Sequence, residues 1–116
     1  MARILIWEPN PEVRTLLGHV VKRLGHEPVE GDEEPGGVLP GDIDVLVVDP
    51  AHPRALSAAQ VLRLRDGGLP IVCASVYPAT PDADALRPEA YLVKPFPLSE
   101  LEDALTGALA RQSLAV

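Results

Sequence analysis

The chain predicts a doubly wound, parallel α/β sheet, and three observations carry that reading. Apolar runs recur at Ile4–Trp7, Val45–Val48, Pro70–Ala74 and Ala90–Val93. Runs of this length suit strands buried on both faces, as parallel strands are. Between them lie segments with helical rather than alternating periodicity, and strand-helix alternation calls for a parallel sheet. Each run also ends in a polar residue that a buried strand does not need: Glu8, Asp49, Ser75 and Lys94. In an open parallel sheet, ligands bind beyond the carboxyl ends of the strands, so these four residues converge on one expected site.

The elements follow in order. A first strand over Arg3–Trp7 leads through Glu8-Pro9 to a helix capped by Asn10, with Pro11 in its first turn. Val13, Leu16, Leu17, Val20, Val21 and Leu24 form its apolar stripe, and Gly25 ends it. A short second strand is expected around Glu27–Val29, and a third over Ile43–Val48. Ser57 and Gln60 form a capping box for a helix through Arg65, which Asp66-Gly67-Gly68 stops. Ser99 and Glu102 offer another box for the last helix, whose apolar face includes Leu101, Leu105, Ala108 and Leu109.

Two segments depart from five full β-α units. Gly31–Gly41 contains Pro35, Gly36, Gly37 and Pro40, so the second helix is expected to be short or absent. Prolines at 78, 81 and 88 limit the fourth helix to one or two turns between Pro81 and Leu86. One sheet face is therefore thinly covered, and self-association or a partner is expected to protect it.

At 116 residues the chain is expected to be one domain over 1–116. A formal net charge of −7 argues against a nucleic-acid partner, which needs clustered Lys and Arg. No apolar run approaches a membrane span and no signal-peptide core opens the chain, so a cytoplasmic location away from the membrane is expected. Cys73, the single cysteine, sits inside a strand and reads as a small buried hydrophobe. His52 reads as a loop side chain, and His19 and His26 have no companions arguing for a metal. No Gly-rich phosphate loop and no Ser-His-Asp or Cys-His arrangement is evident.

Asp49 is followed by Pro53 at plus four, Ser75 lies five residues after Pro70, and Tyr91 to Phe96 reads Tyr-x-x-Lys-Pro-Phe. In order and approximate spacing, over nearly the whole chain, these residues resemble the receiver domain of bacterial response regulators. The resemblance implies a flavodoxin-like sheet of order 2-1-3-4-5 and a role in two-component, phosphorelay signal transduction. It implies Asp49 as phosphoacceptor, Ser75 as switch hydroxyl, Tyr91 as the aromatic that moves with it, and Lys94 as the cation contacting the phosphate. It implies a histidine kinase or another signalling protein as partner, and no enzymatic activity beyond Mg-dependent self-phosphorylation and dephosphorylation at Asp49; the thinly covered sheet face adds a homodimer to the expected partners. Such chemistry suits the residues, since a carboxylate can form an acyl phosphate and a cation offsets the charge on the transferring group.

The chain departs from the family where two adjacent acids normally join the acceptor in holding Mg²⁺. Here those positions are Glu8 and Pro9, so Glu8 and Asp49 make at most a weak Mg site. Two readings stay open: a working regulator phosphorylated on Asp49, and a pseudo-receiver that serves as a protein-binding or dimerisation module without phosphorylation.

Overall fold

A computed structural model describes residues 2–30, 42–51, 59 and 68–114. The apolar runs form a five-stranded, all-parallel sheet of order β2-β1-β3-β4-β5. Its strands are β1 (Arg3–Trp7), β2 (Glu27–Glu30), β3 (Val45–Val48), β4 (Ile71–Ser75) and β5 (Ala90–Val93). The expected strand at Ile43 begins two residues later, although Ile43 is itself buried. Ser75 is the last residue of β4 rather than the first beyond it. Pro28 pairs opposite Ile4 on β2, an edge strand, where a missing N–H is tolerated.

Alternation along the buried strands divides the core in two. Ile4, Ile6, Val45, Val47, Val72, Ala74 and Leu92 face one side. They pack there against Leu17, Val20 and Val21 of α1 (Pro11–Arg23) and Leu101, Leu105 and Ala108 of α3 (Leu98–Leu114). Leu5, Trp7, Leu46, Val48, Ile71 and Cys73 face the other side, with Ile43, Ala59, Leu69 and Leu86 against them. Six strand residues on this second face, expected to be thinly covered, are buried within one chain. The expected helix at 57–65 falls outside the described residues except for Ala59, which is helical and fully buried. Residues 31–41, with the second helix position, also lie outside them. The fourth position holds α2, four residues from Pro81 to Asp84 with Thr80 as cap.

Helix α1 starts as its sequence requires. The Asn10 side chain accepts hydrogen bonds from the N–H groups of Glu12 and Val13, and Pro11 occupies the first turn. Gly25 follows the C-cap with φ +86°, a conformation open to glycine at little cost. Leu16, expected on the buried stripe, is 46% exposed. At about 100° per residue it stands on the flank of the stripe that Leu17, Val20 and Val21 fill. The last helix begins at Leu98, so Ser99 lies inside its first turn and does not cap it.

Candidate functional site

Parallel strands aligned in register bring their carboxyl ends together, and the side chains just beyond them meet. Glu8 follows β1, Asp49 follows β3 and Lys94 follows β5. The Lys94 Nζ lies 2.6 Å from Glu8 Oε2 and 3.3 Å from Asp49 Oδ2. All three side chains are withdrawn from solvent, with relative exposures of 2% for Glu8, 10% for Asp49 and 14% for Lys94. The remaining carboxylate oxygens take backbone donors: Asn10 N–H on Glu8 Oε1 at 3.2 Å, and Ala51 N–H on Asp49 Oδ1 at 3.0 Å. Burying charge is costly unless it is paired and hydrogen-bonded, and every carboxylate oxygen here meets that condition.

Ser75 belongs to a neighbouring arrangement. It is fully buried; its hydroxyl accepts from Tyr77 N–H at 3.2 Å, and its carbonyl accepts from Lys94 N–H at 2.7 Å. The ends of β4 and β5 are thus tied at the residue that carries the ammonium. Tyr91 donates from its hydroxyl to the Tyr77 carbonyl at 2.8 Å. Burial pushes the Tyr91 phenol above its ordinary value, and a hydrogen bond with the Ser75 hydroxyl works against that shift. The Lys94–Pro95 peptide bond is cis.

Of the expected site residues, the structure joins Glu8, Asp49 and Lys94 directly and sets Ser75 and Tyr91 beside them. Pro53, the plus-four partner of Asp49, and His52 lie outside the described residues. His26 accepts a hydrogen bond from Ala2 N–H on Nδ1 at 3.1 Å, a structural use on the first strand. Sequence reasoning missed Tyr77, whose backbone holds both Ser75 and Tyr91. Its only signal was an aromatic two residues beyond a strand-end hydroxyl.

The donor chemistry does not suit a tight divalent site. Two carboxylates share one ammonium, Pro9 adds no ligand, and among the described residues no group of three or more His, Cys, Asp or Glu side chains is placed to hold a metal ion. Mg²⁺ demands near-ideal octahedral oxygen coordination, and a displaced or missing ligand is poorly tolerated.

Cys73 lies on β4 within the second core layer. Burial first, then the charges of Asp49 and Asp84, push its thiol up to about 11, so it is no nucleophile at neutral pH.

No protein-family model and no curated protein sequence matches the chain significantly. Solved structures do. The chemotaxis protein CheY4 of Vibrio cholerae is 20% identical with a TM-score of 0.79, over 94% of this chain and 99% of that one. A response regulator receiver domain protein of Clostridium thermocellum is 18% identical at 0.80, over 100% of both chains. A CheY-like receiver domain protein of Methanospirillum hungatei is 14% identical at 0.82, over 100% of this chain and 99% of that one. With the five-stranded order β2-β1-β3-β4-β5 already established, the fold of this chain is that of the response regulator receiver domain.

Proposed function

We propose that this chain is a receiver-like module of two-component signalling that acts by contact with another protein, without phosphorylation. The observation that carries this reading is the closed triad. The Lys94 ammonium is already shared between Glu8 and Asp49, and Pro9 stands where a second acid would strengthen a metal site. Exposed apolar groups support the contact role. Ser75 pairs with Val93 on the edge strand β5, which places Val76 and Tyr77 beside its end, and Val76, Tyr77, Val93 and Leu98 are all exposed. Another signalling protein, a histidine kinase or a second copy of the chain would meet this surface. The module would act in the cytoplasm, the residues offer no catalysis on a separate substrate, and the single-domain reading over 1–116 is part of this proposal.

A second reading is favoured by the placement of Asp49, Lys94 and Ser75 at adjoining strand ends. Asp49 would be a phosphoacceptor, Lys94 the cation that follows the phosphoryl group, and Ser75 and Tyr91 the switch. An Asp49 carboxylate oxygen would bond to phosphorus while the bond from phosphorus to the donor's leaving-group atom breaks, that atom departing with the electron pair. Incubation with acetyl phosphate, with and without Mg²⁺, followed by intact mass measurement separates the two. No phosphoryl adduct on the folded wild type supports the contact module. An adduct that Asp49→Asn abolishes would establish the phosphoacceptor instead.

A further inference from the structure

We infer that Lys94 is the resident cation of this site, and that the domain holds its strand-end carboxylates together without a divalent metal. The receiver fold is one in which a metal would be sought at this place, and the residues present disagree with that expectation. Four oxygens belong to Glu8 and Asp49, and each already has a donor. Lys94 Nζ takes one oxygen of each residue, and the N–H groups of Asn10 and Ala51 take the other two. A metal binding here must either displace the ammonium or sit beside it. Displacement strands a charged group whose side chain is only 14% exposed, and a neighbouring position sets two cations against each other in a poorly screened environment.

Charge balance points the same way. Two carboxylates against one ammonium leave one negative charge in excess, and two backbone N–H donors face it. Glu8 also lies just ahead of α1, whose N-terminus carries the partial positive charge of the helix dipole. The site therefore approaches neutrality with what the chain supplies. The ammonium also joins three loops, those leaving β1, β3 and β5, so the carboxyl end of the sheet stays closed whatever the concentration of divalent cations. This inference rests on the triad that carries the proposed function, but its test is separate. Metal binding without a phosphoryl adduct would overturn the inference alone, and a metal-independent adduct on Asp49 would overturn the functional reading alone.

The test uses the whole chain, with Trp7 fluorescence and thermal unfolding followed across millimolar MgCl₂ and MnCl₂ at constant ionic strength. The expected wild-type result is no saturable change in either signal. Lys94→Met keeps the aliphatic stem and removes the ammonium. It should lower the unfolding midpoint, which either metal should then raise in a saturable way by roughly 5 °C at concentrations far above its dissociation constant. Removing one carboxylate as well, in Glu8→Gln/Lys94→Met, should abolish that response. A saturable metal response in the wild type overturns the inference, and so does a folded Lys94→Met that ignores both metals. Should Lys94→Met fail to fold, the wild-type titration decides alone: a flat curve upholds the inference and a saturable one overturns it.

Discussion

Glu8, rather than Asp49, should be the stronger partner of Lys94, and a pair of double-mutant cycles measures the difference. At separations of 2.6 and 3.3 Å and an effective dielectric constant of about 20, Coulomb's law gives gross attractions of about 6 and 5 kcal/mol. Desolvation offsets most of that, so the net worth of each pair is far smaller. The cost of breaking the triad is a different quantity, because removing one partner leaves buried charge uncompensated. Lys94→Met should therefore lose about 3–5 kcal/mol of unfolding free energy. Glu8→Gln should cost less, because its amide still accepts from Asn10 N–H and Lys94 keeps Asp49.

The double variant Glu8→Gln/Lys94→Met should fall short of the sum of its singles by about 2 kcal/mol, within the range that contacting charged groups show. The cycle through Asp49→Asn should give a smaller coupling, since that contact is longer and the carboxylate more exposed. Urea unfolding at neutral pH, read by the fluorescence of the buried Trp7, supplies all six free energies. Additivity within about 0.5 kcal/mol in the Glu8 cycle would refute the reasoning. A larger coupling for Asp49 than for Glu8 would refute the ranking.

Two further outcomes test the core and its boundaries. The Cys73 thiol titrates near 11 in the fold against an ordinary 9.0, so the unfolded chain loses its proton first. Stability from this group is whole below pH 9 and declines as pH rises toward 11, by about 3 kcal/mol in full. Cys73→Ala should flatten the alkaline limb of a stability–pH profile by that amount, and identical limbs would contradict the shift. Asn10→Ala removes the acceptor for two N–H groups at the start of α1 and should cost about 0.5–2 kcal/mol in the same urea assay. An unchanged urea midpoint would show that the cap contributes nothing.

Much of this fold was legible because burial on both faces leaves an unmistakable trace. Val45–Val48 and Ile71–Ala74 could be placed from composition alone, since no solvated strand tolerates such runs. Asn10-Pro11 and Gly25 marked the ends of α1 through local hydrogen-bonding needs that are independent of the rest of the chain. Local rules failed where two of them competed. Ser99 and Glu102 have capping-box spacing, yet the helix starts at Leu98, and a four-letter spacing cannot show that an earlier residue has already entered the helix. The detail of what covers the second face was not legible for a related reason. Proline counts report how long a helix can be, whereas Leu86 covers the strands from the turn after α2 rather than from within it.

The site divides along the same line. Which residues would meet could be read from strand ends, because parallel strands of similar length deliver their terminal side chains to one place. How they would pair could not. Lys94 is 86 positions from Glu8 and 45 from Asp49, and nothing in either interval says which carboxylate comes closer. Glu8 reaches Lys94 with one carboxylate oxygen while its other oxygen takes the Asn10 N–H. An aspartate at position 8, one methylene shorter, is expected to lose one of those two contacts. Freed from Glu8, the ammonium would settle on Asp49, and the same three strand ends would carry a different distribution of charge. The identity of residue 8 therefore governs how Lys94 divides between the two carboxylates, and with Glu8 in place Asp49 stays half of an ion pair.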